Sequence, residues 1–295
     1  MLEAMDARII DHLVLPVPLL VEARVRLSRL GFTVAADGHH PFGTQNACIF
    51  LKDGVYLEPL AIGDKAVFER SIDAGNAFTV RHRSALQAYP DCGLSAIVIA
   101  SDDAEADDRR FRKTGLGGGD IVDFSRCVRL PDGGEKIASF RLAFAVDDRF
   151  PEFFAFACQR IASLPHDLAG LASHANGVVG LKEVLLCQSG AISTQRLLLE
   201  AALETETVRG SDGSLLNAGN CVVRILEKDI VTPSSHRKKE GEGHGSCGHA
   251  IVFAVEDLAV TEATLAANDV PFSWKGNRLS VERASGQDVV FAFEE

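Results

Sequence analysis

The sequence predicts an α+β fold of repeated β-α-β-β-β units, on three observations. Strand-sized apolar runs begin at four points along the chain. Each is followed by a segment whose apolar residues recur at helical spacing, and short strand-like runs separated by turn residues close the unit. With 295 residues, 46% hydrophobic and 24% charged, the composition is that of a folded protein with room for about two domains.

In the first unit, RIIDHLVLPV (residues 8–17) reads as a buried strand. Leu20, Ala23, Leu27 and Leu30 follow at helical spacing until Gly31 supplies a C-terminal stop. FTVAADGHH, NACIFLKDG and VYLEPLAI are then three strand-like runs joined by turns. The second unit opens at GLSAIVIA (93–100), with Ser101 as the expected N-cap of DDAEADDRRFRKTG. It closes with IVDFSRCVRL, KIASFRLAFAV and PEFFAFACQ. The third unit runs from GLKEVLLC (180–187) through a helical TQRLLLEAALE to NCVVRILEK, and the fourth from GHAIVFAV through LAVTEATLAAN to PFSWKGNRLSVE and DVVFAFEE. Residues 231–247, rich in Ser, Gly and charge, are expected as an exposed loop. The expected organisation is an N-terminal domain over 1–160, a junction over 161–177 and a C-terminal domain over 178–295.

Thirty Lys and Arg against 41 Asp and Glu give a formal charge of −11, the wrong sign for nucleic acid or an anionic membrane surface. The acidic start MLEAMDARIID lacks the basic head of a signal peptide, and no apolar run approaches the roughly 20 residues that span a bilayer. Seven cysteines stand singly, with no C-x-x-C pair, as buried thiols do in a reducing cytosol. A cytoplasmic protein is expected. GLGGGD at 115–120 is no dinucleotide fingerprint, and neither a G-x-S-x-G elbow nor a Walker A sequence occurs.

His12 alternates with Leu13 and Leu15, so its side chain points to the face opposite theirs. Glu58 lies in the apolar strand VYLEPLAI, where a carboxylate needs a partner. Two readings of this pair stay open: metal donors, or a hydrogen-bonded or ionic structural pair. His39, His40, Thr44 and Asn46 cluster in a turn, suited to holding a carbonyl or carboxylate or to stabilising the turn itself. Arg141 and Arg160 are either an anion fork or partners of nearby acids. His236, His244, Cys247 and His249 imitate a metal cluster, but on a glycine-rich loop without a rigid scaffold.

IDHLVLPV, LGFTV, HHPFGTQNACIFL and VYLEPLAI together resemble the opening module of the glyoxalase-like domain family of the vicinal oxygen chelate superfamily. In that family a strand His, an H-P-x-G-T-x-N turn and a Y-L-E strand recur. FACQR and HANGVVGL are similar to its C-Q-H and H-P-N-G-A stretches, with Arg160 in place of His and Ala175 in place of Pro. The resemblance implies paired modules curled into two half-barrel cups, each able to hold a metal and a substrate. It implies His12 and Glu58 as half of a four-residue metal site, and His40, Thr44, Asn46, Gln159, His174 and Asn176 as substrate-binding residues. Ser95, Cys158, Gln159 and Arg160, the second module's offerings, are poor metal ligands.

The implied function is binding of a small oxygenated substrate in the N-terminal cup. Metal-assisted lyase, isomerase or dioxygenase chemistry on Zn, Fe, Mn, Ni or Co would follow, with Glu58 as ligand or proton carrier. The alternative is a metal-free protein that binds or sequesters a small ligand. A third reading is an assembly partner whose strand edges pair, for example as a homodimer.

Overall fold

The computed structural model describes residues 7–89, 93–129, 133–162, 170–187, 192–227 and 248–295. The first module comprises β1 (Ile10–Pro16), α1 (Leu20–Arg29), β2 (Gly38–His39), β3 (Thr44–Asn46), β4 (Ile49–Phe50) and β5 (Tyr56–Ile62). Two helices follow, α2 (Lys65–Asp73) and α3 (Ala77–Ala88). The second module comprises β6 (Ala96–Ser101), α4 (Ala104–Lys113), β7 (Val122–Arg129), β8 (Glu135–Ala145) and β9 (Phe154–Arg160). The third comprises β10 (Val178–Cys187), α5 (Ile192–Leu203), β11 (Val208–Arg209), β12 (Gly213–Asn217) and β13 (Val222–Leu226). The fourth comprises β14 (Gly248–Val255), α6 (Leu258–Ala267), β15 (Ser273–Lys275), β16 (Arg278–Val281) and β17 (Val290–Glu294).

Strands β1 to β9 form one sheet in the order β2-β3-β5-β1-β6-β9-β8-β7, with β4 also on β5; the other sheet runs β11-β12-β13-β10-β14-β17-β16-β15. The pairing pattern is the same in both. The first strand of every module lies parallel to its last, and two modules meet through antiparallel first strands, β1 with β6 and β10 with β14. At the ends of the first sheet β2 and β7 come together, so that sheet curls into a nearly closed barrel.

Alternation decides which face of each strand meets the helices. Leu13, Leu15, Leu57, Ile97 and Ile99 of the first sheet and Val184, Ile225, Phe253, Phe291 and Phe293 of the second belong to one continuous core. Leu20, Ala23 and Leu27 of α1 and Leu198, Leu199 and Ala202 of α5 are buried in the same core, so helices of both halves sit between the sheets. Phe32, just after α1, packs its ring on Phe253 at 5.2 Å.

The structure adds elements that the repeat pattern omits. Residues 32–37 are irregular and form no strand, β11 and β12 complete the third module, and α2 and α3 fill the interval before β6. Asp64 and Asn76 cap these two helices, accepting from the Val67 and Thr79 amides. The N-cap of α4 is Asp103, which accepts from the Ala106 amide; Ser101 instead accepts from the Asp103 amide and donates to Asp107. The sequence 231–247, with His236, His244 and Cys247, lies outside the described residues, as does Cys92. Cys48, Cys158 and Cys221 are buried thiols, Cys187 is buried as well, and Cys127 is exposed.

Gly31 ends α1 with φ +89, and a Cβ there would stand 2.7 Å from Thr264 Cγ2 and 2.9 Å from Asn176 Cβ. Left-handed backbone and close approach thus coincide where α1, α6 and the chain before β10 meet. Gly31→Ala is expected to lower the unfolding free energy by about 2–4 kcal/mol in a urea titration. A loss below about 0.5 kcal/mol would show that this joint yields without cost.

Candidate functional site

The first cup is built on β1 and β5, paired in parallel with His12 opposite Tyr56. Because Leu13, Leu15 and Leu57 face the helix-packed core, His12 and Glu58 face the cup beside Val14 and Leu60. Both are buried. The ladder is irregular between Ile10 and His12, and there Asp11 Oδ1 reaches His12 Nδ1 at 2.7 Å. Arg160 holds Asp11 in turn, its guanidinium 2.7 and 2.8 Å from the two carboxylate oxygens. The residue that replaces the family's His is therefore the counter-ion of His12's own partner. The His12 ring is fixed by stacking on Tyr56 at 4.3 Å and by the edge of Phe156 at 5.7 Å.

Glu58 Oε1 accepts a hydrogen bond of 2.6 Å from Asn46 Nδ2. His12 Nε2 is 3.6 Å from Glu58 Oε2, and His40 Nε2 is 3.8 Å from Oε1. Neither distance is a hydrogen bond. His40 Nδ1 is tied to Thr44 Oγ1 at 2.8 Å, and its ring stacks on Phe42. The turn that presents His40 needs Gly43: its φ is +89, and a Cβ would stand 2.6 Å from the Asp64 carbonyl oxygen. Two imidazoles thus aim their Nε2 atoms at one carboxylate while their Nδ1 atoms are held from behind.

The cup encloses a cavity of about 30 Å³ between these groups and Phe78, Phe124, Phe140, Phe156 and Cys158, room for about one water. Arg126, on β7, lines it as well, and its Nε has no hydrogen-bond partner. Sequence reasoning missed Arg126. The available signal was the alternation of IVDFSRCVRL, in which Val122, Phe124 and Arg126 share one face. Burial, and then the Arg126 charge, push the His40 pKa well below the ordinary imidazole value, which keeps the ring neutral at pH 7. Burial also pushes the Cys48 and Cys158 thiols and the Tyr56 hydroxyl up, so all three stay protonated.

Other residues expected at the site stand elsewhere. Gln159 points away from the cup, because Cys158 takes the inward position; its side chain donates to the Asp102 carbonyl and accepts from the Ala104 amide at the start of α4. His174 accepts from the Thr33 amide at 3.1 Å and donates to the Phe50 carbonyl at 3.0 Å. Asn176, fully buried, donates to the Leu30 carbonyl and accepts from the Val178 amide. These two residues staple the end of α1 and β4 to the start of β10, and neither lines the cup. Val98, not Ser95, lies opposite His12. Arg141 pairs with Asp123 and Glu105, and His249, in β14, contacts Cys187 and Arg283.

A sequence profile of the glyoxalase-like domain matches residues 10–202, about two thirds of the chain. The chain belongs to the glyoxalase-like domain family. Its fold is that of the vicinal oxygen chelate superfamily, and solved structures agree in fold. A hypothetical protein from Staphylococcus aureus superposes with a TM-score of 0.62 at 14% identity, covering 97% of this chain and 98% of that one. A triple mutant of 4-hydroxymandelate synthase from Streptomyces coelicolor gives 0.57 at 13% identity, covering 98% and 92%. A xylose isomerase-like TIM barrel/4-hydroxyphenylpyruvate dioxygenase fusion protein gives 0.57 at 13%, covering 99% of this chain and 49% of that one. No curated protein matches the sequence. Among the described residues no helix is long and apolar enough to cross a membrane.

For the metal that membership in this glyoxalase-like family implies, the donor chemistry of the cup fits. Two imidazoles and a carboxylate are the usual set for a divalent transition ion, and Asp11 and Thr44 supply the outer hydrogen bonds that such imidazoles require. As placed, the nitrogens stand a few tenths of an ångström wider than one coordination sphere allows. Among the described residues no group of three or more His, Cys, Asp and Glu side chains stands close enough together, as placed, to hold a metal ion.

Behind the cup, His82 of α3 is fully buried against Phe68 and Phe78 with no hydrogen bond to either ring nitrogen, and burial pushes its pKa down to about 4. The native ring is neutral, whereas the unfolded ring protonates near pH 6.5. Stability is therefore complete above about pH 6.5 and falls as pH drops toward 4, by about 3 kcal/mol from this residue. Denaturant titrations at pH 7.5 and pH 4.5 should show that loss, and His82→Leu should flatten it in part, since His40 acts in the same direction. An unchanged slope in the variant would mean that His82 takes up a proton in the native state.

Proposed function

We propose that the N-terminal cup binds a small oxygenated substrate carrying an anionic group, and that His12, His40 and Glu58 hold a divalent transition metal beside it. The observation that carries this reading is the pair of Nε2 atoms facing one carboxylate without hydrogen-bonding it, each imidazole restrained through Nδ1. When bound, such an ion acts as a Lewis acid on a carbonyl or carboxylate oxygen. Arg126 offers its guanidinium to the anionic group. The aromatic wall of Phe42, Phe78, Phe124 and Phe140 receives an apolar or aromatic body and excludes water. Asn46 orients Glu58, whose second oxygen is left to accept or return a proton. Asp11, backed by Arg160, keeps the His12 proton on Nδ1.

The names of two structural neighbours, a 4-hydroxymandelate synthase and a fusion containing a 4-hydroxyphenylpyruvate dioxygenase, support an oxygenated aromatic acid as the substrate class. Lyase, isomerase and dioxygenase chemistry all remain compatible with this donor set.

One observation favours the metal-free alternative. The second module's positions toward the donors are Val98, Phe156 and Cys158, so only one module supplies them. Elemental analysis of untagged protein prepared without chelator separates the two readings. About one equivalent of a transition metal is expected, lost in His12→Ala and Glu58→Gln, with affinity reduced about tenfold or more in His40→Ala. Unchanged metal content in the first two variants would overturn the site assignment. No uptake after reconstitution would leave a cup that holds its ligand without metal.

A further inference from the structure

Outside the cup, a cavity of about 550 Å³ lies between α1 and the segments that follow α6 and β16. It shares no lining residue with the cup. Its size is within the roughly 300–1,000 Å³ of small-molecule sites, which favour junctions between structural units. The lining is chiefly apolar and includes Val21, Val25, Val270, Pro271 and Val281. Val21 and Val25 of α1 are 62% and 56% exposed at its mouth, although other α1 residues are buried.

Two arginines of the same helix line the cavity, Arg26 half-buried and Arg29 exposed. Arg26 lies over the Phe291 ring at 5.2 Å and donates to the Glu282 carbonyl at 2.8 Å and the Gln287 carbonyl at 3.2 Å. Arg29 donates to the Asn268 and Asp269 carbonyls, both at 3.0 Å. Among the described residues neither guanidinium pairs with a carboxylate. The acids of the lining, Glu22, Asp269 and Glu282, are exposed to solvent, and Glu282 is taken by Lys275 at 2.9 Å. Burial depresses the Arg26 guanidinium to about 10. Held among the described residues by carbonyl and amide oxygens alone, the Arg26 guanidinium keeps a positive charge that a ligand carboxylate can pair with.

We infer that this cavity is a second ligand site, for an amphiphilic monocarboxylate whose head pairs with Arg26 and whose aliphatic chain lies along the valine-lined wall of α1. The site is separate from the chemistry proposed for the cup and does not rest on it.

Isothermal titration with decanoate, below its micellar range, tests the assignment, with decyltrimethylammonium as the cation of matched chain. Decanoate should bind saturably at one site per chain, and the cationic amphiphile about tenfold more weakly or not at all. Val25→Glu places a like charge at the mouth, on an exposed position that leaves the fold intact. It should weaken decanoate about tenfold, as should Arg26→Gln. No binding of decanoate, equal binding of both amphiphiles, or unaltered binding by Val25→Glu would each overturn the inference. Should Arg26→Gln fail to fold, Val25→Glu still decides.

Discussion

The helix-covered faces of the two sheets share one apolar core, and that sharing dictates where polar groups can stand. Leu13, Leu15 and Leu57 on one side and Val184, Phe253 and Phe291 on the other are held together through α1 and α5. A slip of β1 by a single residue would drive His12 into this core and Leu13 into the cup, a cost that fixes the register. The cup is therefore the face on which β1 and β5 can carry an imidazole and a carboxylate.

The same backbone frame carries a different solution in the second sheet. His12 lies opposite Tyr56 and Val98; by the same ladder positions Glu183 lies opposite Val222 and Val252. Two residues beyond Tyr56 stands Glu58, and two beyond Val222 stands Arg224. Glu183 and Arg224 form an ion pair at 2.7 Å, with Arg278 on the other carboxylate oxygen at 2.8 Å. Equivalent positions thus hold open donors in one half and paired charges in the other. A buried carboxylate clasped by two guanidiniums contributes to local structure and has little freedom for chemistry. Fold symmetry alone does not distribute function between the halves.

Much of this was legible in the sequence because it rests on alternation. HLVLP and YLEPL announce which side chains turn inward, and the recurrence of strand, helix and strands announces the modules. What escaped depends on contacts between distant segments. The α2–α3 pair interrupts the repeat, and its polar surface carries no signal of what it covers. Gln159 and Asn176 fall in family-like motifs, but a motif marks a residue without stating its task. Asn176 serves the backbone of Leu30 and Val178, a role that only the approach of α1 to β10 creates. Arg160 was legible as a charge in need of a partner, whereas its attachment to Asp11 follows from the irregular ladder at the start of β1.

The tight filling of the first cup has a kinetic consequence. An occupant larger than a water needs lining side chains to move, among them Phe42, Phe78 and Phe124, which pack ring on ring with centroids 5.1 and 5.2 Å from Phe42. If the cup takes the substrate proposed for it, entry would be gated by the protein, and the observed affinity would be the intrinsic one diminished by the fraction of molecules that stand open. At saturating ligand the rate of association would level off at the opening rate of this lining, so the aromatic contacts would act as a clock as well as a wall.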